Sequence, residues 1–245
     1  MTADNADKLL RLENVTRAYV QGEQTVQALR NVSFTAGRGE FIAVAGPSGS
    51  GKTTLLNVCA GLDRPTEGKV WLGSRDLSEL SRQQLARLRL EEIGFIFQAF
   101  NLIPVLSAEE NAEFILLLRG VPDQERRSKV RDLLKEVGLE GLERRRPGQL
   151  SGGQQQRVAV ARAIAAEPKL VLADEPTANL DTETALSLLN LMERLNQEHG
   201  TTFLFSTHDP RVMERAHRII RLVDGRIESD LPVTQNNRKD PRHAG

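Results

Sequence analysis

Cysteine is almost missing from this chain. Cys59 is the only one in 245 residues, so no intramolecular disulfide can form and a reducing compartment suits the protein. Its ordinary role is that of a small buried apolar side chain. An excess of charge of either sign is missing too: Lys and Arg number 33, and Asp and Glu number 33. That balance supplies no global field for nucleic acid or anionic lipid, and no nucleic-acid partner is expected. No apolar run approaches the roughly 17–25 residues that span a bilayer. The strongest, Phe114-Ile115-Leu116-Leu117-Leu118, is far too short. Met1 to Asp7 are polar and acidic, without the basic flank and apolar stretch of a signal peptide. The chain is therefore expected to be soluble and cytoplasmic, with any membrane role exerted through another chain.

What is present is an alternation of short apolar runs and helical patterns. Two extended segments lie between Leu10 and Phe34, and Phe41-Ile42-Ala43-Val44-Ala45 leads directly into a Gly-rich loop followed by a helix over Lys52 to Cys59. Further strands are expected at Lys69 to Leu72 and Ile93 to Phe97. The texture then changes from Gln98 to Ala166. Val130, Leu133, Leu134 and Val137 keep the i, i+3, i+4, i+7 spacing of an amphipathic helix, and Glu109 to Leu118 and Gln154 to Ala165 are also helix-like. This stretch, 98–166, is expected to be an all-helical lobe inserted into an α/β core made of 8–97 and 167–230. The core resumes with a strand at Lys169 to Ala173, a helix at Thr182 to Glu198 and a strand at Thr201 to Ser206. Asp224-Gly225 marks a hairpin between Arg218 to Val223 and Arg226 to Glu228. The polar stretch 231–245 is expected to be a mobile tail.

Two segments look built for phosphate. Gly46-Pro47-Ser48-Gly49-Ser50-Gly51-Lys52-Thr53 reads G-x-x-x-x-G-K-[ST], a loop whose backbone N–H groups wrap phosphate oxygens while Lys52 neutralises their charge and Thr53 offers a hydroxyl to Mg²⁺. Leu150-Ser151-Gly152-Gly153-Gln154 sets a serine and two glycines at an expected helix start, where free N–H groups and the helix dipole favour an anion. One nucleotide does not need two complete cradles, so one of them is expected to serve a neighbouring chain. Between the two in character lies Leu170-Val171-Leu172-Ala173-Asp174-Glu175, an apolar strand that presents two acids at its carboxyl end, where α/β sheets bind ligands. Asp174 suits a hold on Mg²⁺, and Glu175 suits the orientation and deprotonation of an attacking water.

Taken together, these residues resemble the ATP-binding subunit of an ABC transporter over roughly residues 9–229, with Leu150 to Arg157 resembling the family's signature segment. The resemblance implies a P-loop, RecA-like ATPase core with an antiparallel β subdomain and an inserted α-helical subdomain. It implies ATP contacts from Tyr19, on whose ring adenine would stack, and from the loop Gly46, Pro47, Ser48, Gly49, Ser50, Gly51, Lys52, Thr53 and Thr54. It implies Mg²⁺ near Thr53, Gln98 and Asp174, with Gln98 also reaching the attacking water, and His208 as the switch histidine beside the γ-phosphate. Ser151, Gly152, Gly153 and Gln154 would act on the nucleotide of a second copy or a homologous ATPase, across an interface that Asn179, Leu180 and Asp181 would line.

Within the family, Gly46 to Asn57, Gly61 to Thr66, Ile93 to Pro104 and Ala173 to Asp181 resemble the branch of lipoprotein-release, macrolide-efflux and cell-division ATPases. Thr53 replaces the commoner serine, Ala178 replaces a usual glycine, and Ser107-Ala108-Glu109-Glu110-Asn111 is a variant segment. The expected partner is an integral membrane permease on the cytoplasmic face of the plasma membrane, docked on the stretch Gln98 to Leu106 through Phe100, Leu102 and Ile103. Energising a transporter or lipoprotein extractor and mechanical signalling through a non-transporting partner remain two open uses of the same motor. A soluble ATPase of ribosomes or DNA fits less well, because tandem cassettes, basic extensions and long coiled coils are missing.

Overall fold

The computed structural model describes residues 8–22 and 24–233. Lys8–Gln21 (β1) and Gln24–Gly37 (β2) pair antiparallel, and β1 continues through Glu67–Leu72 (β4) to Arg75–Asp76 (β5), giving a four-stranded sheet in the order β2-β1-β4-β5. The second sheet contains Phe41–Ala45 (β3), Ile93–Ile96 (β6), Leu170–Asp174 (β7), Thr202–Thr207 (β8), Arg218–Val223 (β9) and Arg226–Pro232 (β10). Its order is β10-β9-β3-β8-β7-β6, parallel throughout except for the antiparallel edge strand β10. A parallel sheet is covered on both faces, so its strands read as unbroken apolar runs, and all five residues of β3 are buried.

The helices are Lys52–Cys59 (α1), Arg82–Glu92 (α2), Ala108–Leu118 (α3), Asp123–Glu136 (α4), Gly152–Ile164 (α5), Thr182–His199 (α6) and the short Pro210–Met213 (α7). Local chemistry sets their ends. Ser81 with Gln84, Ser107 with Glu110 and Ser151 with Gln154 form reciprocal capping boxes at α2, α3 and α5, satisfying orphan N–H groups of the first turn. Asp181 caps α6, which stops at Gly200 in the left-handed region that glycine enters without steric cost.

Two cores lie on opposite faces of the parallel sheet. Ile42, Val44, Leu172 and Leu204 join α1 and the antiparallel sheet. Phe41, Ala43, Val171, Ala173, Phe203 and Phe205 join α5, α6 and the helices α3 and α4. The stretch 98–166 thus does not pack on itself alone; its apolar side chains continue into the sheet's core. Cys59, the last residue of α1, is fully buried, and burial pushes its thiol well above the usual range. Helix α2 was not foreseen from the sequence, although Ser81-x-x-Gln84 is a capping signature. Strand β10 runs to Pro232, into the region expected to be a mobile tail; the remainder of that tail lies outside the described residues.

Candidate functional site

Four neighbouring strands deliver the site. The order β3-β8-β7-β6 sets side by side, at the strands' carboxyl ends, the Gly-rich loop after β3, His208 after β8, Asp174 and Glu175 at the end of β7, and Gln98 after β6. Register holds them level: Ala45 pairs with Thr207, and Asp174 with Ser206. Between them opens a cleft of about 620 Å³, lined by Pro47, Ser48, Gly49, Gly51, Lys52, Thr53 and Thr54 on one wall and by Gln98, Asp174, Glu175 and His208 on the other.

The loop's glycines are there for close packing and for backbone shape. A Cβ on Gly46 would lie 2.0 Å from the Leu222 carbonyl oxygen, and Gly51 has φ 100° with a Cβ position 2.4 Å from the Ala28 carbonyl oxygen. No side chain fits either place. Lys52 is buried, and its Nζ donates to the carbonyls of Gly46 at 2.8 Å and Pro47 at 2.9 Å. It also lies 3.8 Å from Glu175 Oε1. Ser50 Oγ, buried in the loop, has no hydrogen-bond partner among the described residues, the condition of a polar atom that awaits one.

Opposite, Asp174 is held at both oxygens. Ser206 Oγ donates to Oδ1 at 2.6 Å, and Thr53 Oγ1 donates to Oδ2 at 2.8 Å. Two hard oxygen donors converging at the cleft suit a Mg²⁺ ion, which takes carboxylate and hydroxyl ligands alongside phosphate. Glu175 carries a φ of 44°, uncommon for a non-glycine residue. Its N–H donates to Ser206 Oγ at 2.9 Å, and its Oε1 is 3.0 Å from His208 Nδ1. A left-handed backbone step turns this carboxylate off the strand and into the cleft.

The segment expected to be a second cradle stands apart. Ser151 caps α5, accepting from the Gln154 N–H, and is exposed; neither it nor Gly152, Gly153 or Gln154 lines the cleft. A Cβ on Gly153 would meet Thr184 Cγ2 at 2.3 Å, whereas one on Gly152 would meet nothing nearer than 3.8 Å. Asn179, Leu180 and Asp181 lie next to it. Asn179 donates to the Gln98 carbonyl at 2.9 Å, Leu180 Cδ2 is 3.8 Å from a Gly152 Cβ position, and Asp181 is engaged as the α6 cap, its carboxyl held below the usual range by the Thr184 hydroxyl and N–H.

Tyr19 is not part of the cleft lining. Its hydroxyl donates to Asp63 at 2.5 Å, and the Arg17 guanidinium covers one ring face at 4.4 Å, leaving at most one face for stacking. Phe100, Leu102 and Ile103, expected as exposed apolar contacts, are half-buried. The exposed apolar side chains of the helical lobe are instead Val105, Leu117 and Leu118, with Val105 at 70%. Asn111, read from the sequence only as part of a variant segment, is fully buried and organises the loop beside them. It accepts from the Ile103 N–H and donates to the carbonyls of Ile103, Leu106 and Ser107.

Comparison with known proteins places these features in company. The ABC transporter family model matches residues 29–178. The lipoprotein-releasing system ATP-binding protein LolD of Anaeromyxobacter dehalogenans is 47% identical over 230 residues, covering 93% of this chain and 95% of that protein. The macrolide export ATP-binding/permease protein MacB of Paracoccus denitrificans is 46% identical over 228 residues, covering 93% of this chain; the chain spans only 34% of that relative's length. Among solved structures, an ATP-binding cassette from Methanocaldococcus jannaschii, a dimer in a post-hydrolysis state bound to ADP and Pi, superposes with a TM-score of 0.86 at 43% identity, covering 92% of this chain and 99% of that one.

Proposed function

The chain belongs to the ABC transporter family, and from that premise we propose that it hydrolyses ATP as a pair of copies, each ATP clamped between the Gly46–Thr53 loop of one and the Ser151 helix start of the other. The observation that carries this reading is the separation of two anion cradles, only one of which lines the cleft. The room beside Gly152 supports it, because a Cβ there would make only ordinary contacts, none nearer than 3.8 Å, with the described residues.

In the paired state, the loop N–H groups and Lys52 take the charge of the phosphates from one side, and Ser151 and Gly153 of the second copy take it from the other. Phosphoryl transfer is mostly positioning and charge stabilisation. Thr53 and Asp174, with Gln98 beside them, would hold a Mg²⁺ ion, which would further neutralise the phosphate oxygens. Glu175 accepts the proton of the attacking water as general base. With Nδ1 protonated, His208 donates to Glu175 Oε1 and keeps the carboxylate aimed. Tyr19 offers its uncovered face to adenine.

We assign the motor to a separate membrane permease on the cytoplasmic face of the plasma membrane, for lipoprotein release or for export. The names of the LolD and MacB relatives support this use, as do Val105, Leu117 and Leu118 exposed on the lobe. No helix among the described residues is long and apolar enough to cross a membrane itself. Residues 98–166 act as the moving lobe and 8–97 with 167–230 as the core.

Glu175→Gln tests the chemistry. Hydrolysis is expected to fall about 10²–10⁴-fold while ATP binding persists and an ATP-bound dimer accumulates on size exclusion. Turnover at the native rate would remove Glu175 from the role. For the partner, capture of the chain from a detergent extract is expected to recover a polytopic membrane protein, and recovery of soluble partners alone would sink the permease assignment.

A further inference from the structure

Just beyond Gln98 the backbone makes a left-handed turn, with Phe100 at φ 60° and Asn101 at φ 49°. Phenylalanine resists this conformation sterically, and such a turn lasts only where its surroundings hold it. One side chain does so. Arg162 donates from Nη2 to the Phe100 carbonyl at 2.8 Å and from Nη1 to the Asn101 carbonyl at 2.5 Å. The guanidinium is half-buried and has no ion pair among the described residues. A planar fork suits two adjacent carbonyls as an ammonium would not.

Arg162 belongs to α5, the helix that Ser151 caps. The same turn faces the start of that helix, since the Phe100 ring lies 3.8 Å from where a Cβ on Gly152 would be. Asn179 adds the hydrogen bond to the Gln98 carbonyl. The Gln98 loop, the Ser151 cradle and the Asn179 loop are thereby joined into one block within a single copy.

We propose that Arg162 is a positioning residue that locks the turn after Gln98 onto α5, so that the Gln98 wall of one nucleotide site and the Ser151 cradle offered to the other move together. The inference rests on the composite-site reading above. It means that displacement of the loop 102–106 is passed to the Ser151 helix through one guanidinium.

The test uses the full chain in a Glu175→Gln background. ATP-driven dimerisation is followed by analytical ultracentrifugation, and a fluorescent ATP analogue reports binding by the monomer. Arg162→Ala is expected to raise the chain concentration for half-dimerisation roughly tenfold, a typical size for coupling between sites. Analogue affinity should stay within about twofold, because Arg162 has no contact with the phosphate loop and distant sites act independently. Arg162→Lys keeps the charge but not the fork and should fall between the two. If the Glu175→Gln parent does not dimerise with ATP, the composite-site reading fails and takes this inference with it. If the parent dimerises and both variants match it, the assignment of Arg162 is overturned and the composite site stands. A parallel loss of monomer binding also overturns it, since the residue would then be acting on the fold. Should Arg162→Ala not fold, Arg162→Lys decides alone, and dimerisation equal to the parent's rejects the assignment.

Discussion

The two proposed anion cradles of this chain are built on opposite principles. The Gly46–Thr53 loop is closed in on itself. Two of its glycines are demanded by backbone that lies 2.0 Å from a Cβ position on Gly46 and 2.4 Å from one on Gly51, and its lysine is satisfied by the loop's own carbonyls. The Ser151 cradle is the outward-facing end of a capped helix, and one of its two glycines has no steric reason inside the chain. A motif whose residues are explained by its own surroundings works alone. One whose residues are not explained points at a surface still to arrive.

Gly46→Ala should break the first cradle most severely. Its methyl group would collide with the Leu222 backbone, and we expect a loss of about 3 kcal/mol or more, read as a lowered melting temperature together with lost ATP-analogue binding. Gly152→Ala is the matched control, expected to melt like the parent and bind the analogue normally while hydrolysis falls. If Gly152→Ala cost as much stability as Gly46→Ala, the contrast between the cradles would be wrong.

Ser151→Ala sharpens the second cradle. Removing the cap should cost about 0.5–2 kcal/mol in denaturant titrations, and losing one donor to the transferred phosphate should slow saturated hydrolysis by roughly 10²-fold without altering monomer binding. Ser50→Ala is milder. The buried hydroxyl has no partner among the described residues, and an unsatisfied buried polar group costs about 1–3 kcal/mol. The variant should therefore melt at or above the parent's temperature when ATP is absent and gain less from ATP. Smallest is Tyr19→Phe, which loses only the bond to Asp63, worth about 0.5–1.5 kcal/mol, and keeps the ring; equilibrium unfolding should resolve it, with ATP affinity nearly unchanged.

Much of this site was legible because it is sequential. An apolar run entering a Gly-rich loop and then a helix has one arrangement, and β3 and α1 fall where the pattern puts them. Acids at the end of an apolar strand were equally plain. Helix α2 escaped because it buries little beyond Leu85 and Leu88, so its apolar rhythm is faint and only its cap speaks. Strand β10 was read only as far as Glu228, because an edge strand pairs on one side alone, which lets Ser229, Asp230 and Pro232 stand in it. Arg162 and Asn111 were invisible for another reason. Both act on backbone carbonyls far along the chain or across a loop, and no spacing of residue types records which carbonyls will be near.

Strand β3 separates two apolar cores, sending Phe41 and Ala43 into one and Ile42 and Val44 into the other. A slip of one residue would exchange every side chain between chambers of different shape, so the strand has a single allowed height. Gly46 therefore emerges at a fixed level, braced from both sides like a bolt through a bulkhead. Whatever travels during a working cycle must travel relative to that point, and the phosphate loop is the anvil rather than the hammer.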